Sequence, residues 1–421
     1  MTQMASRIGT AGLVVLYVAA WALSPLVVKT TPSDLDIYFW PSAETVVGGH
    51  PLLIYSAHIR DIYPNANGPL GLVLLVPVAA IANSLGWADN LGLRAGLTDA
   101  VVPLFVLLLA RETVVLIRRE RGVVEWRLAA ACTILLAPAL WIGVIDYGHI
   151  EQPLELWLVM FAVRYVVSNR PLAGGVALGA AMLARTTAVL YLIPLVLLPL
   201  ATRRAKPATK IGVAVVITVA VGLAPFLIAD GPAVVHSLVT YRGDLPVAGG
   251  SFWLLVRQTP WEGLAQHGDV YLTIAVAVVL TAVTLQRRPS TATTATGLLG
   301  LLTVVASCFP LFAKTVYPYY LLEPYVFGAA WWLARPGSAL NWRASVPLLL
   351  TADALLGKAG AALPFNGWGI AEGVSSSAIL AVVVALVSID LFRNPTPAEA
   401  GHASSRDDRT EAARVPQLGS S

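Results

Sequence analysis

Residues 69–85 read PLGLVLLVPVAAIANSL, and whether this stretch crosses a bilayer sets the topology of everything after it. It is apolar and about as long as a short membrane span. If it crosses, the cluster Arg118, Arg119, Arg121 and Arg127 lands on the opposite side from the other basic clusters. If it does not, every basic cluster shares one side, which the positive-inside tendency assigns to the cytoplasm. Parity therefore predicts a re-entrant or juxtamembrane segment, interrupted at Pro77.

The surrounding chain explains why spans are the right unit. Of 421 residues, 57% are hydrophobic and 12% charged, with a mean hydropathy of +0.72. That composition belongs to polytopic membrane proteins, not soluble domains. Short alternating segments of the kind that build transmembrane barrels do not occur. The predicted class is all-α, with about 12 spans over 9–29, 98–117, 128–146, 153–169, 172–184, 187–202, 211–229, 269–286, 294–312, 318–334, 344–358 and 373–392. The apolar run 9–29 is too long for a signal-peptide core and lacks a closing small-residue site, so it reads as the first span. Residues 1–393 form one transmembrane domain, and the polar tail 394–421 is predicted to be disordered and cytoplasmic.

The net charge of +4 reports loop orientation, not a nucleic-acid partner: no long basic run interleaved with aromatics occurs. Cys132 and Cys308 both lie in apolar runs and read as buried free thiols. The outer face then carries the first loop 30–68 (to about 97 if 69–85 is re-entrant), the turn 146–152, the link near Arg185, the long loop 230–268, the turn 313–317 and the loop 359–372. Most chemistry-capable residues fall on this face; the other holds short basic connectors.

In the first loop, DLDIYFW (34–40) places Asp34 and Asp36 two positions apart, so on a helix they point in different directions. A carboxylate pinned where a loop returns to the membrane suits a general base; the bland reading is a solvated loop acid. His58 lies in the same loop and is assigned to the acceptor or sugar side. The turn WIGVIDYGHIEQPLELW (141–157) carries Asp146, His149 and Glu151. A polar floor for a hydroxyl-rich substrate, a helix-capping turn before Pro153, and a weak metal set are the three readings.

Arg185, in AAMLARTTAVLYLIP, is a cation at membrane depth whose planar fork suits a phosphate. Lys314, in FPLFAKTVYPYYLLEPY, is a second cation, followed by Tyr317, Tyr319 and Tyr320; snorkelling and an aromatic belt are the competing account. Arg242, Asp244 and His236 lie in the long outer loop, with Trp253, Arg257 and Trp261 beyond. Arg242 joins Arg185 and Lys314 as a candidate phosphate ligand. Glu323 and Asp353, inside spans, line an ion path or tie helices together.

The first-loop DLDIY, the following PSAETVVGGHPLLIY and the return at Pro69 resemble the GT-C superfamily of membrane glycosyltransferases. The likeness is to polyprenyl-phosphate-mannose-dependent mannosyltransferases of the PimE kind and to the PIG-M kind, which carries a D-x-D there. YGHIEQPLELWLV, GGVALGAAMLARTTAVLYLIPL and AKTVYPYYLLEP match in style, while YPNANGP departs from the usual tyrosine-proline-proline return. The resemblance implies a GT-C fold and an inverting transfer, requiring no metal though compatible with a divalent ion, from a polyprenyl-phosphate sugar to a lipid or lipoglycan acceptor at the outer face of the plasma membrane. It assigns Asp34 as the base, Asp36 as its companion, and Arg185 and Lys314 to the donor phosphate; the residues themselves put Asp146, His149, Glu151, Tyr317 and Tyr320 on the acceptor or sugar side. A transporter or lipid-linked sugar flippase is the alternative; no internal repeat supports it, and the polar residues gather at one face instead of the midplane.

Overall fold

The computed structural model describes residues 2–28, 34–56, 65–121, 127–200, 205–335, 341–361 and 368–393. His58 and the tail 394–421 lie outside them. In chain order the first helices are α1 (Thr2–Val28), α2 (Trp40–Val47), α3 (Pro69–Val73), α4 (Val76–Ser84), α5 (Leu91–Asp99), α6 (Val102–Arg121), α7 (Arg127–Leu135), α8 (Pro138–Ile145) and α9 (Glu151–Val167). Then follow α10 (Pro171–Ala184), α11 (Leu198–Leu200), α12 (Ala205–Val235), α13 (Tyr241–Asp244), α14 (Glu262–Arg287), α15 (Ala295–Phe312), α16 (Leu322–Ala334), α17 (Ser345–Ala361) and α18 (Trp368–Arg393).

The chain is an all-α membrane protein. Five stretches among the described residues are long and apolar enough to cross a bilayer: Leu91–Arg121, Ala205–Asp244, Glu262–Arg287, Ala295–Phe312 and Gly369–Arg393. The other predicted spans form shorter or broken helices. Pro138 ends the run expected over 128–146, leaving α7 and α8 separated at Leu136–Ala137. The run expected over 187–202 becomes a 3₁₀ turn (Thr186–Tyr191) and a π turn (Ile193–Leu197) around Pro194. The segment 69–85 breaks at Leu74–Leu75 into α3 and α4, with Pro77 in the first turn of α4 and not at the break.

Two ends of the bundle differ in chemistry. At one end Arg119 donates to Val167 O and Ser168 Oγ, Glu120 accepts from the Ala295 and Thr296 start of α15, and Asp390 takes both Arg335 and Arg343. These contacts cap helix ends with opposite charge. The opposite end gathers Asp34, the turn after α8, the end of α10 and the turn after α15. Both ends of the 69–85 segment are anchored here: Gly68 packs on the backbone of Leu183, and Arg94 of α5 pairs with Asp36.

The core is built by close helix approach. α15 is buried along nearly its whole length, Ala295–Leu311. α10 meets α12 through Gly175 and Gly179, one turn apart. A Cβ on Gly175 would sit 2.4 Å from Ile211 O, so only glycine permits this separation. The loop predicted over 230–268 is helical as far as Asp244, and the segment after α13 is tied down by a parallel pairing of β1 (Ala248–Gly249) with β2 (Thr315–Val316). Gly249 has φ +63° and lies against Val316 O, where no side chain fits.

Gly175→Ala is therefore expected to lower the unfolding free energy by about 1–3 kcal/mol through overpacking. Gly263→Ala, on an exposed helical position with open space around it, should be neutral or slightly stabilising. Thermal unfolding of both variants in detergent checks the contrast.

Candidate functional site

Asp34 opens a π-helical turn, Leu35–Phe39, and is fixed by backbone and side chain. Its N–H and that of Leu35 both donate to Tyr147 O, at 3.0 and 3.2 Å. Its Oδ2 accepts from His149 Nε2 at 2.8 Å. The turn after α8 thus holds Asp34 twice. Asp36 goes the other way, as its spacing demands: it pairs with Arg94, whose guanidinium lies 5.4 Å over the Trp40 ring. Only Asp34 lines the chamber described next.

That chamber, about 180 Å³, is walled by tyrosines and amides. Tyr38, Tyr147, Tyr241, Tyr317, Tyr319 and Tyr320 face it with Asn65, Asn67, His149, Arg185 and Arg242. Tyr38 and Tyr241 meet hydroxyl to hydroxyl at 3.0 Å across its mouth. Burial pushes the Tyr147 hydroxyl up to about 12, and Asp146 adds to the effect. Tyr147 is therefore neutral at physiological pH, and its hydroxyl is a hydrogen-bond donor there. Asn65 is buried, and its Nδ2 has no hydrogen-bond partner. A buried orphan donor at a cavity wall is a group waiting for an acceptor atom.

Beneath the chamber lies a buried charge network. His149 Nδ1 is 2.5 Å from Glu151 Oε1, which also accepts from Arg185 Nη1 at 2.9 Å. Arg185 Nε lies 3.2 Å from Glu323 Oε1 and 3.7 Å from Glu155 Oε2. Tyr191 donates to Glu323 Oε2 at 2.5 Å. Arg185 is only 3% exposed, and Glu151, Glu155 and Glu323 are no more so. Its charge is already matched by carboxylates, so this side chain braces the floor and is not poised to grip a phosphate.

Lys314 is likewise spent. Its Nζ donates to Gly243 O and Gln266 O at 2.7 and 3.0 Å, and it lines neither cavity. Asp146 pairs with Lys358 at 2.6 Å, away from the chamber wall. Asp146 thus turns away from His149 and Glu151, which pair with each other, and among the described residues no three His, Cys, Asp or Glu side chains converge as a metal site. Asp353 accepts from Ser376, tying α17 to α18.

Arg242 is placed differently. Its guanidinium lies 4.2 Å over the Phe309 ring and 5.7 Å over that of Tyr320, and among the described residues it has no carboxylate partner. It also lines a second cavity of about 460 Å³. The two cavities share Ala66, Thr186, Thr187 and Arg242. The second is largely apolar, with Val189, Leu190, Leu238, Val239, Val270, Tyr271 and Ile274 along it. Val239 and Tyr271 are 70% and 75% exposed on the bundle surface. The polar chamber and this groove are therefore neighbours, with Arg242 among the four residues they share.

Tyr38, Tyr147 and Tyr241 were not singled out from sequence, nor was Arg94. The first two lie inside the quoted stretches, but their convergence with Tyr241 depends on long-range packing. No family model matches the chain, and no curated protein matches it significantly.

The Asp36–Arg94 pair carries a test of its own. Asp36→Asn, Arg94→Met and the double variant should give a coupling energy of about 1 kcal/mol in a thermodynamic cycle, because the pair is partly buried. Chemical unfolding of the four proteins measures it.

Proposed function

We propose that the protein is a GT-C-type membrane glycosyltransferase of about 12 spans. It moves a sugar, in our reading mannose, from a polyprenyl-phosphate donor to a lipid or lipoglycan acceptor at the outer face of the plasma membrane. The observation that carries this reading is the junction at Arg242 between the polar chamber holding Asp34 and the apolar groove. A substrate matching that shape has a hydroxyl-rich head, an anionic linkage and a long apolar tail. The first-loop likeness to GT-C enzymes supports the same class.

In this reaction Asp34 takes the proton of the acceptor hydroxyl as its oxygen attacks the anomeric carbon. The bond from that carbon to the phosphate oxygen breaks, and the lipid phosphate leaves with the electron pair. Attack opposite the leaving group inverts the centre. Arg242 replaces Arg185 and Lys314 as the cation that holds the phosphate and offsets its growing charge. The tyrosine walls and the Asn65 amide supply stacking faces and hydrogen bonds for sugar rings. This scheme calls on no metal.

The test incubates nanodisc-embedded protein with radiolabelled polyprenyl-phosphate-mannose and a membrane lipid extract. Wild type should label a lipid. Asp34→Asn should lower the rate by about 10²–10⁴-fold, and Arg242→Gln by about 10–100-fold through weaker phosphate contact. Lipid movement without any sugar transfer would replace this reading with the flippase one.

A further inference from the structure

We propose that His149 is the positioning residue for Asp34, the centre of a carboxylate–imidazolium–carboxylate clamp that runs Asp34–His149–Glu151. The catalytic consequence rests on the glycosyltransferase reading; the clamp itself does not.

Three observations carry it. His149 Nε2 lies 2.8 Å from Asp34 Oδ2, and Nδ1 lies 2.5 Å from Glu151 Oε1. An ionised carboxylate only accepts hydrogen bonds, so carboxylates on both sides call for a hydrogen on both ring nitrogens. The ring is 5% exposed and immobilised, with Tyr319 4.0 Å and Phe39 5.5 Å from its centroid. Glu151 is anchored in turn by Arg185, which lies 3.4 Å from Nδ1 and shares the same carboxylate oxygen. The groups facing His149 are therefore Asp34 from the first loop, Glu151 from α9, Arg185 from the end of α10 and Tyr319 from the turn after α15.

Burial alone would push the His149 pKa down; the charge of Glu151 and the hydrogen bond to Asp34 outweigh it, and the pKa lies above its ordinary value. The sign follows. The imidazolium is present below the folded pKa and is lost as pH rises through it. A neutral ring has one lone pair, which must then face a carboxylate, so one arm of the clamp opens. Transfer should fall on the alkaline side for this reason.

The experiment has two arms on the full-length protein in nanodiscs. In the first, ¹⁵N-histidine NMR follows the ring, assigned by its loss in His149→Gln. Both nitrogens should be protonated at pH 7.5, and Asp34→Asn should lower the titration midpoint. A neutral His149 ring at pH 7 overturns the clamp, whether or not the protein transfers sugar. In the second, transfer is measured across pH. His149→Gln, whose amide can donate to Asp34 at any pH, should keep kcat within about tenfold and lose the alkaline limb. His149→Phe should lose about 100-fold in kcat with KM within about threefold. An unchanged alkaline limb in the Gln variant, or a wild-type kcat in the Phe variant, overturns the positioning role. Failure of wild type to transfer sugar refutes the enzyme reading alone, and the NMR arm then decides the clamp.

Discussion

One buried guanidinium orders the chamber end of this bundle. Arg185 sits where α10 stops, and it reaches Glu151 and Glu155 on α9 and Glu323 on α16. Desolvating an arginine is costly, and the cost is offset only by well-placed partners. Here those partners come from two further helices, so the ion pairs fix the relative positions of three chain segments. Breaking a buried pair of this kind costs about 3–5 kcal/mol, enough to make the register of these helices hard to change. The floor of the chamber is therefore rigid, and His149 and Asp34 inherit that rigidity through Glu151.

Above this floor the charges are arranged in steps. Arg185 is satisfied by carboxylates, Lys314 by backbone carbonyls, and Asp36 by Arg94. Besides Arg185 and His149, the chamber is faced by Asp34, tyrosine rings, amides and Arg242. Arg242 rests on the faces of Phe309 and Tyr320, an arrangement that holds a cation without neutralising it. In the proposed reading, its position between the polar chamber and the apolar groove would link the head group of a lipid substrate to its tail.

Much of this was legible in the sequence. The hydropathy of the runs marks the helices, because membrane helices must satisfy their own backbone groups. Two aspartates two positions apart diverge on a helical turn, and these do. Pro77 announced a break, though the break falls just before Pro77, which sits comfortably in a first helical turn, whereas the run broken before Pro138 was expected to be one continuous span. The roles of the cations were not legible. Arg185 looked available because Glu323, which neutralises it, lies far along the chain. Asp36 and Arg94 are 58 positions apart, and no local pattern joins them. Lys314 is absorbed by the carbonyls of Gly243 and Gln266, partners that side-chain patterns do not report. Arg242 was one of many polar residues in a long loop until packing set it over two rings.

The most direct test of the account is an experimental structure of the protein in nanodiscs with polyprenyl phosphate bound. The account places the phosphate within hydrogen-bond reach of Arg242, the chain along Val239, Val270 and Ile274, and Asp34 across the chamber from it. A phosphate held by Arg185 or Lys314, or a lipid seated away from this groove, would contradict it.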